Sequence, residues 1–597
     1  MSLWHTHKWR SPLVPTTKPR QNHAAMFLPT TRAELLARDW DQLDVILVTG
    51  DAYIDSPFIG VSVIGHVLTD LGYRVGIIAQ PDINSPEDIT RLGEPALFWG
   101  VSAGSIDSMV ANYTALKKPR RTDDYTPGGE NTKRPDRAVI VYTNLIKRFF
   151  RNTVPIVLGG IEASLRRVSH YDYWDDRIRR SVLFDAKADY LLYGMSEKSV
   201  AEFADALRFR GDARHIRGLC YIAPDLQPGY LELPSYDEVT ADKRAFIDMF
   251  HTFYRNQDPR SAKGLVQRHS NRYLIHNPPQ PHLTQRELDD VYAIDFVRDA
   301  HPFYKKQGEI RALQTITFAV PTHRGCYGEC NFCAIAVHEG RTVRWRSPDS
   351  IVDEARELTS HPDFKGYIQD LSAPTANMYG FECPKKRQEG ACPDRHCLTP
   401  EICPMLPVDH DQHLNLLRRV RSLPGVKKVF VASGLRYDLM LDDEEGGDRY
   451  LRELVANHVS GQLKVAPEHS QDRVLKAMGK PGTKSLVEFR KRFMQATEEA
   501  GLPQFLTYYL IAAHPGCTER DMADLRKFAT QELKVRPEQV QIFTPTPSTY
   551  ASLMYYTEMD PFTGQRLFVE KNPVRKRRQK DLVTGRARPS PKTRSSR

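Results

Sequence analysis

Short apolar runs alternate with helix-patterned stretches in two blocks of this 597-residue chain, and that alternation restricts it to parallel α/β architectures. In residues 26–225 the runs at 44–49, 74–79, 96–101, 154–158 and 190–193 read as buried strands, and 60–71 has helical spacing. The arrangement predicts a doubly wound parallel sheet. Gly50, Gly104, Gly159 and Gly160 follow strand ends, where such sheets place ligands. Residues 118–137, rich in Lys, Arg, Asp, Pro and Gly, read as a surface loop. Residues 226–310 carry Pro228, Pro234, Pro278, Pro279 and Pro281 and read as an extended linker wrapping the two blocks, with helical patterns near 238–258 and 285–299.

The second block, 311–560, has strand-like runs at 314–320, 367–370, 428–432, 463–466, 507–511 and 540–543. After the first, each ends in polar or Gly/Pro residues, which predicts a six-stranded (β/α)6 partial barrel with its active site at the carboxyl ends. The first run leads into Arg324-Gly325-Cys326-Tyr327-Gly328-Glu329-Cys330-Asn331-Phe332-Cys333. Its C-x3-C-x2-C spacing puts three thiolates on one loop. Four thiolates usually hold a four-iron cube, so three leave one iron open for a small ligand. Zinc is the alternative, and His338 could complete a Cys3His set. A disulfide framework is not expected from nine cysteines in a chain this long with no secretory signal. Cys383, Cys392, Cys397 and Cys403 crowd an insertion at 383–403, with gaps that do not match short zinc pairs. They could close a zinc site or an auxiliary iron–sulfur cluster, or pack as reduced thiols.

A content of 40% hydrophobic and 26% charged residues describes a soluble globular chain, with no run near the ~18 apolar residues that span a bilayer. Residues 1–25 lack the apolar core of a secretion signal and read as a disordered basic arm. The net charge of +10 equals that of residues 571–597, with 11 Lys/Arg and one Asp, so the rest balances. Residues 561–597 read as a disordered basic tail able to grip RNA or another polyanion. Clustered thiolates suit a reducing, cytoplasmic setting.

The tracts around Cys326, Pro374-Thr375-Ala376-Asn377-Met378-Tyr379, Ala466-Pro467-Glu468-His469 and His514-Pro515-Gly516-Cys517, with 541–556, resemble the YgiQ-like radical S-adenosylmethionine (SAM) proteins. The resemblance implies a [4Fe-4S] cluster on Cys326, Cys330 and Cys333, with SAM chelating the open iron through its amino and carboxylate groups. It also implies reductive cleavage to a 5′-deoxyadenosyl radical, fed by an external flavodoxin- or ferredoxin-type donor. Phe332 matches the aromatic that lines the adenine. The usual Gly-Gly-Glu element is replaced by Leu371-Ser372-Ala373-Pro374-Thr375, so Ser372 and Ala373 would act through backbone carbonyls. Ser433, Glu468 and His469 are candidate ribose or substrate contacts by strand position, and His514-Pro515-Gly516 is expected as a tight turn near the adenine of SAM. The first block resembles the cobalamin-binding domain that precedes some radical SAM barrels. Asp51-Ala52-Tyr53-Ile54-Asp55-Ser56 lacks the histidine of that domain's Asp-x-His-x-x-Gly, which counts against cobalamin, and His66 reads as a packed or surface histidine. Two other classes compete: a nucleic-acid-binding protein with structural metal sites, and an electron-transfer iron–sulfur protein. Substrate and product are not specified by these residues.

Overall fold

The computed structural model describes residues 26–585. Its first half is built on one nine-stranded sheet. Strands β1 (Val45–Thr49) and β2 (Val75–Ala79) are buried along their whole length, as parallel strands covered on both faces must be. They pair in parallel with β3 (Phe98–Ser102), β4 (Ile156–Leu158) and β5 (Tyr190–Leu192) in the order β2-β1-β3-β4-β5. The order reverses between β1 and β3, so their connections leave on opposite faces and a crevice opens at the carboxyl ends. Helix α1 (Gly60–Asp70) packs on β2 and buries Val61, Val63, Val67 and Leu68.

Beyond β5 the sheet becomes mixed, antiparallel from β5 through three further pairings and parallel in the last. Strands β6 (Leu219–Ala223), β7 (Leu231–Leu233), β8 (Leu265–His269) and β9 (Arg272–His276) extend it in the order β6-β9-β8-β7. Residues 226–310 thus carry three strands of this sheet where the proline content suggested a linker. The prolines bracket these strands without entering them. Helix α2 (Lys243–Arg255) turns Phe246, Met249, Phe250 and Phe253 into the core. The stretch at 118–137 is exposed at 118–122, as expected of a surface loop, but it is anchored inside further on. Arg134 is buried there, bridging Asp51 at 2.8 Å and Asp123 at 2.9 Å. Lys118, Arg120, Arg121, Asp124, Glu130 and Lys133 of the stretch are exposed, as its composition suggests.

In the second half β10 (Ala319–Pro321), β11 (Tyr367–Ile368), β12 (Asp370–Ser372), β13 (Lys428–Val429), β14 (Gln462–Glu468), β15 (Phe505–Ala512) and β16 (Gln541–Ile542) form parallel ladders. β10 pairs with β12, β11 with β13, and β15 with both β14 and β16. A parallel bridge joins Leu435 to Val465. The first run is strand only at its end, because Leu313–Ile316 is helical. The Thr317 hydroxyl donates back to the Leu313 carbonyl at 2.8 Å, and the Arg298 guanidinium takes the Thr317 and Ala319 carbonyls at 3.2 Å each. The halves share a core, since Phe543, Leu553, Met554 and Tyr555 lie in the same buried cluster as Leu183 and Phe253.

Part of the expected disordered tail is a docked helix, α3 (Pro573–Thr584). Asn572 caps it by accepting the Val574 and Arg575 amides at 2.9 and 3.2 Å. Lys576, Gln579 and Val583, at helical spacing, form its buried face. The Lys576 ammonium donates to the Tyr555 and Tyr173 hydroxyls at 2.8 and 3.2 Å. Gln579 accepts the Ala513 amide at 2.9 Å and donates to the Cys517 carbonyl at 3.2 Å, so the helix clamps the His-Pro-Gly-Cys turn. Arg575 and Arg578 pair with Glu570 and Glu519 at 3.0 and 3.1 Å, which uses up part of the basic excess. Gln579→Leu is expected to lower stability by about 1–3 kcal/mol by leaving two buried backbone groups without partners. Thermal melts beside the exposed-site control Arg577→Ala would show it. The basic arm 1–25 and residues 586–597 lie outside the described residues. No helix among the described residues is long and apolar enough to cross a membrane.

Candidate functional site

The cysteine loop follows β10 and is anchored from several directions. His323–Arg324 pairs with Arg344–Trp345 in an antiparallel ladder that ends at Gly325. Gly325 has φ +84°, and a Cβ there would stand 2.3 Å from the Thr342 carbonyl oxygen, so the turn accepts only glycine. The Cys326 amide donates to the Gly340 carbonyl at 3.3 Å. The Tyr327 hydroxyl donates to the Phe381 carbonyl, and the Glu329 carboxylate pairs with Arg341. Tyr254 donates to Glu329 at 3.2 Å. Asn331 bonds Met478, Ala477 and Ala551 backbone groups at 2.9, 3.0 and 2.8 Å. A loop held this way meets a ligand without first being ordered.

Cys326, Cys330 and Cys333 are half-buried. Gly328 donates its amide to Cys326 Sγ at 3.3 Å. A Cβ on Gly328 would lie 3.2 Å from Cys326 Sγ and 3.6 Å from Cys330 Sγ, so glycine keeps open a hollow between the two sulfurs. Arg436 Nη1 reaches within 3.3 Å of the same point, and Thr375 Oγ1 lies 3.7 Å from Cys326 Sγ. Burial, followed by the neighbouring Cys330 charge, raises the Cys326 and Cys333 thiols. At Cys326 the Gly328 amide, Thr375 and Arg436 oppose that rise. Such thiols become thiolates when cations arrive. Among the described residues no three His, Cys, Asp or Glu groups are gathered closely enough for a single metal ion. A four-iron cube instead takes each thiolate on a separate iron. His338 Nδ1 is 3.1 Å from Ser164 Oγ in the sheet half, so a Cys3His zinc set is not assembled.

The strand tips bring the other expected residues together in groups. The Ser433 hydroxyl donates to Asp370, sits 3.3 Å from Ser372 Oγ and accepts the Ala373 amide at 3.4 Å. Asn377 accepts the Arg436 amide and donates to the Arg436 carbonyl, both at 2.9 Å. The Arg436 guanidinium forms a buried pair with Asp438. Glu468 ends β14 with φ +65°, a strained conformation for a residue with a side chain. Burial raises its carboxyl against Lys480 and Arg436. The Phe332 ring lies 6.2 Å edge-on from His514. His514 Nδ1–H donates to the Pro515 carbonyl at 2.9 Å, leaving Nε2 buried without a partner. Burial pushes this imidazole down to about 3. His469 accepts the Gln471 amide at 3.1 Å and faces Cys517 Sγ at 3.5 Å. Sequence reasoning did not single out Asp370, Thr375, Arg436 or Lys480. The first three stand in strand-tip tracts and could have been found there, but Lys480 follows a helix and carries no local mark.

In the insertion, Cys383 packs with Tyr327, Phe381, Leu398 and Leu406. Burial raises the Cys397 thiol to about 11, opposed by Lys386. The four insertion cysteines do not gather around one point that would hold a zinc ion. The insertion instead braces the cysteine loop, since Arg341 donates to the Cys392 and Arg395 carbonyls at 3.0 and 3.3 Å while pairing with Glu329.

The crevice between β1 and β3 opens into a cavity of ≈330 Å³. Asp51, Ser102, Gly104 and Gly160 line it from the sheet, and Arg324, His338 and Glu339 from the cysteine-loop flanks. Arg324 pairs with Glu197 at 2.6 Å across the two halves. Glu339 accepts the Gly325 amide at 3.0 Å, and burial raises its carboxyl. Asp51 is engaged by Arg134 and by the Ser105 amide at 2.6 Å. Asp55 is engaged by His66 and Ser62, each at 2.6 Å.

The Radical SAM N-terminal family matches residues 27–319, and the Radical SAM superfamily matches 320–529. A UPF0313 protein of Fusobacterium nucleatum is 56% identical over 559 residues, covering 94% of this chain and 98% of that protein. A UPF0313 protein of Thermotoga maritima is 48% identical over 561 residues, with the same coverage of 94% and 98%. Among solved structures, the radical SAM methyltransferase TsrM of Kitasatospora setae, with cobalamin and a [4Fe-4S] cluster bound, is 15% identical with a TM-score of 0.47, over 84% of this chain and 76% of that one. The cobalamin-dependent SAM radical enzyme OxsB, with aqua-cobalamin bound, is 12% identical with a TM-score of 0.48, over 88% and 57%.

Proposed function

The chain belongs to the UPF0313, YgiQ-like family of radical SAM enzymes, and on that premise we propose that Cys326, Cys330 and Cys333 hold a [4Fe-4S] cluster whose open iron takes SAM. The observation that carries this reading is the hollow between Cys326 and Cys330 that Gly328 leaves open, with Arg436 beside it. When bound, the cluster supplies the electron that cleaves SAM to a 5′-deoxyadenosyl radical. The remaining steps belong to this chain's residues. The anchored loop positions the thiolates, and Arg436 offsets their charge from inside the fold. The Ser372, Ala373 and Ser433 tips offer backbone carbonyls and hydroxyls to the SAM amino group and ribose. Phe332 lines the adenine, with His514 Nε2 as a bare acceptor for an N–H beside it.

With β11 and β12 taken as one strand interrupted at Gln369, the parallel ladders of β10 to β16 read as an open six-stranded barrel whose carboxyl ends carry these groups. The cavity at the β1/β3 crevice is the place where the sheet half presents a substrate to the cysteine-loop side. No histidine stands in 51–56 to ligate cobalt, and Asp51 and Asp55 are already engaged, so no step is assigned to cobalamin. The insertion cysteines brace the loop as packed thiols. A flavodoxin- or ferredoxin-type protein delivers the electron. RNA contact, if made by the tail, falls to the basic side chains that α3 leaves unpaired.

Electron paramagnetic resonance of the reduced chain tests the open-iron claim. Adding SAM is expected to change the cluster spectrum, because its amino and carboxylate groups enter the iron's coordination. A full cluster whose spectrum ignores SAM would mark an electron-transfer protein, and a zinc-loaded, iron-free chain would mark structural metal sites.

A further inference from the structure

A larger cavity of ≈690 Å³ lies where the turn after α2, residues 281–284 and the start of the cysteine insertion meet. Arg260, Arg344, Lys386 and Arg387 line it, against one carboxylate, Asp258. Asp258 accepts the Arg260 and Ala391 amides at 2.9 and 3.0 Å, tying the rim segments together. Lys386 has a partner, Glu382, at 3.6 Å. Arg260, Arg344 and Arg387 form no ion pair among the described residues, although Arg344 is half-buried and donates its Nε to the Leu283 carbonyl at 3.2 Å. Beside Arg344, the Nε2 of His282 is enclosed and has no hydrogen-bond partner.

A half-buried guanidinium without an ion pair beside an enclosed polar nitrogen without a partner, with two exposed guanidiniums on the same rim, is an arrangement that an anion would satisfy. Burial, followed by the Arg387 charge, pushes the Arg344 guanidinium below its ordinary value, with the Glu382 carboxylate opposing and Arg260 adding to the fall. Guanidinium forks match phosphate oxygens two at a time, and a protonated or Nε2–H imidazole adds a further donor. Lone inorganic phosphate would leave most of this volume empty, whereas small organic ligands occupy pockets of about 300–1,000 Å³.

We propose that this cavity binds a small organic phosphate monoester, with Arg344 and His282 at its floor and Arg260 and Arg387 at its rim. The site lies directly behind the cysteine loop. Arg344 pairs with Arg324 in the ladder leading to Cys326. A Cβ on Gly340, whose carbonyl accepts the Cys326 amide, would stand 3.2 Å from His282 Cε1. Binding here is independent of the cluster and can be read without it.

Titration calorimetry on the full chain tests the assignment with ribose 5-phosphate, inorganic phosphate, ribose and a 5′-hydroxyl oligoribonucleotide. Ribose 5-phosphate is expected to bind at one site, more tightly than inorganic phosphate, and ribose not at all. Arg344→Gln is expected to weaken binding by about tenfold or more, and so is Arg387→Glu, whose exposed position spares the fold. Melting curves identify a variant that has failed to fold. The assignment is overturned by no binding of either phosphate probe, by equal affinity for the two, by unchanged affinity in Arg387→Glu, or by displacement of ribose 5-phosphate by the oligoribonucleotide.

Discussion

Cys330→Ala is expected to leave the anaerobically reconstituted chain almost free of iron, where the unaltered chain binds about four irons and four sulfides. Cys330 and Cys326 flank the hollow over Gly328, and their sulfurs each lie within 3.6 Å of the point a side chain there would occupy. With Cys330 gone, two thiolates would have to carry a cube that normally takes more, and SAM cleavage would fall by at least about a thousandfold, the scale seen when a group essential to chemistry is removed. Cys397→Ala makes the matched comparison. Its thiol is held up near 11 by burial, it lies outside the Cys326–Cys333 loop, and its loss is expected to leave the iron content near four. Iron and sulfide assays with the visible absorption of the cluster read both variants. An iron-replete Cys330→Ala protein would remove the ligand set assigned here.

The second large effect is expected at Arg436. Its guanidinium is buried, paired with Asp438, and close enough to Cys330 to feel that sulfur's charge. Arg436→Met would strand Asp438 in the interior and cost about 3–5 kcal/mol of stability. It would also take a positive charge away from the cluster, so adding an electron becomes harder and the reduction potential moves to more negative values. Arg436→Met/Asp438→Leu removes the whole pair. Much of the stability should return, since an apolar pair can replace a buried ion pair at little loss, and the potential should move back toward the starting value. Denaturant unfolding and redox titration separate the two roles. An unchanged potential in the single variant would reduce Arg436 to a packing residue.

The parallel half of the sheet was legible because β1 and β2 are continuous apolar runs, which fully buried strands must be. The same local logic identified the tips that carry Ser372, Ala373, Ser433 and Glu468. Charge and proline concealed the rest. Helix α3 reads as a disordered tail by composition, yet Lys576, Gln579 and Val583 recur on one face and pack against the turn at Cys517. Strands β7 to β9 are hidden among prolines that lie outside them. Arg134 looks like loop charge until Asp51, from just past the end of β1, and Asp123, from its own stretch, close on it. Local pattern says little about such pairs, because each partner is chosen by the tertiary fold. The contact between His338 and Ser164 is of the same kind. It turns the expected alternative zinc ligand into a join between the two halves.

The most direct test of the central claim is chemical. The full chain, reconstituted anaerobically with iron and sulfide and then reduced, is incubated with SAM and the products are separated. The account predicts 5′-deoxyadenosine together with methionine, dependent on reductant and lost in Cys330→Ala. A chain with a complete, reducible cluster on Cys326, Cys330 and Cys333 that releases no 5′-deoxyadenosine would contradict it.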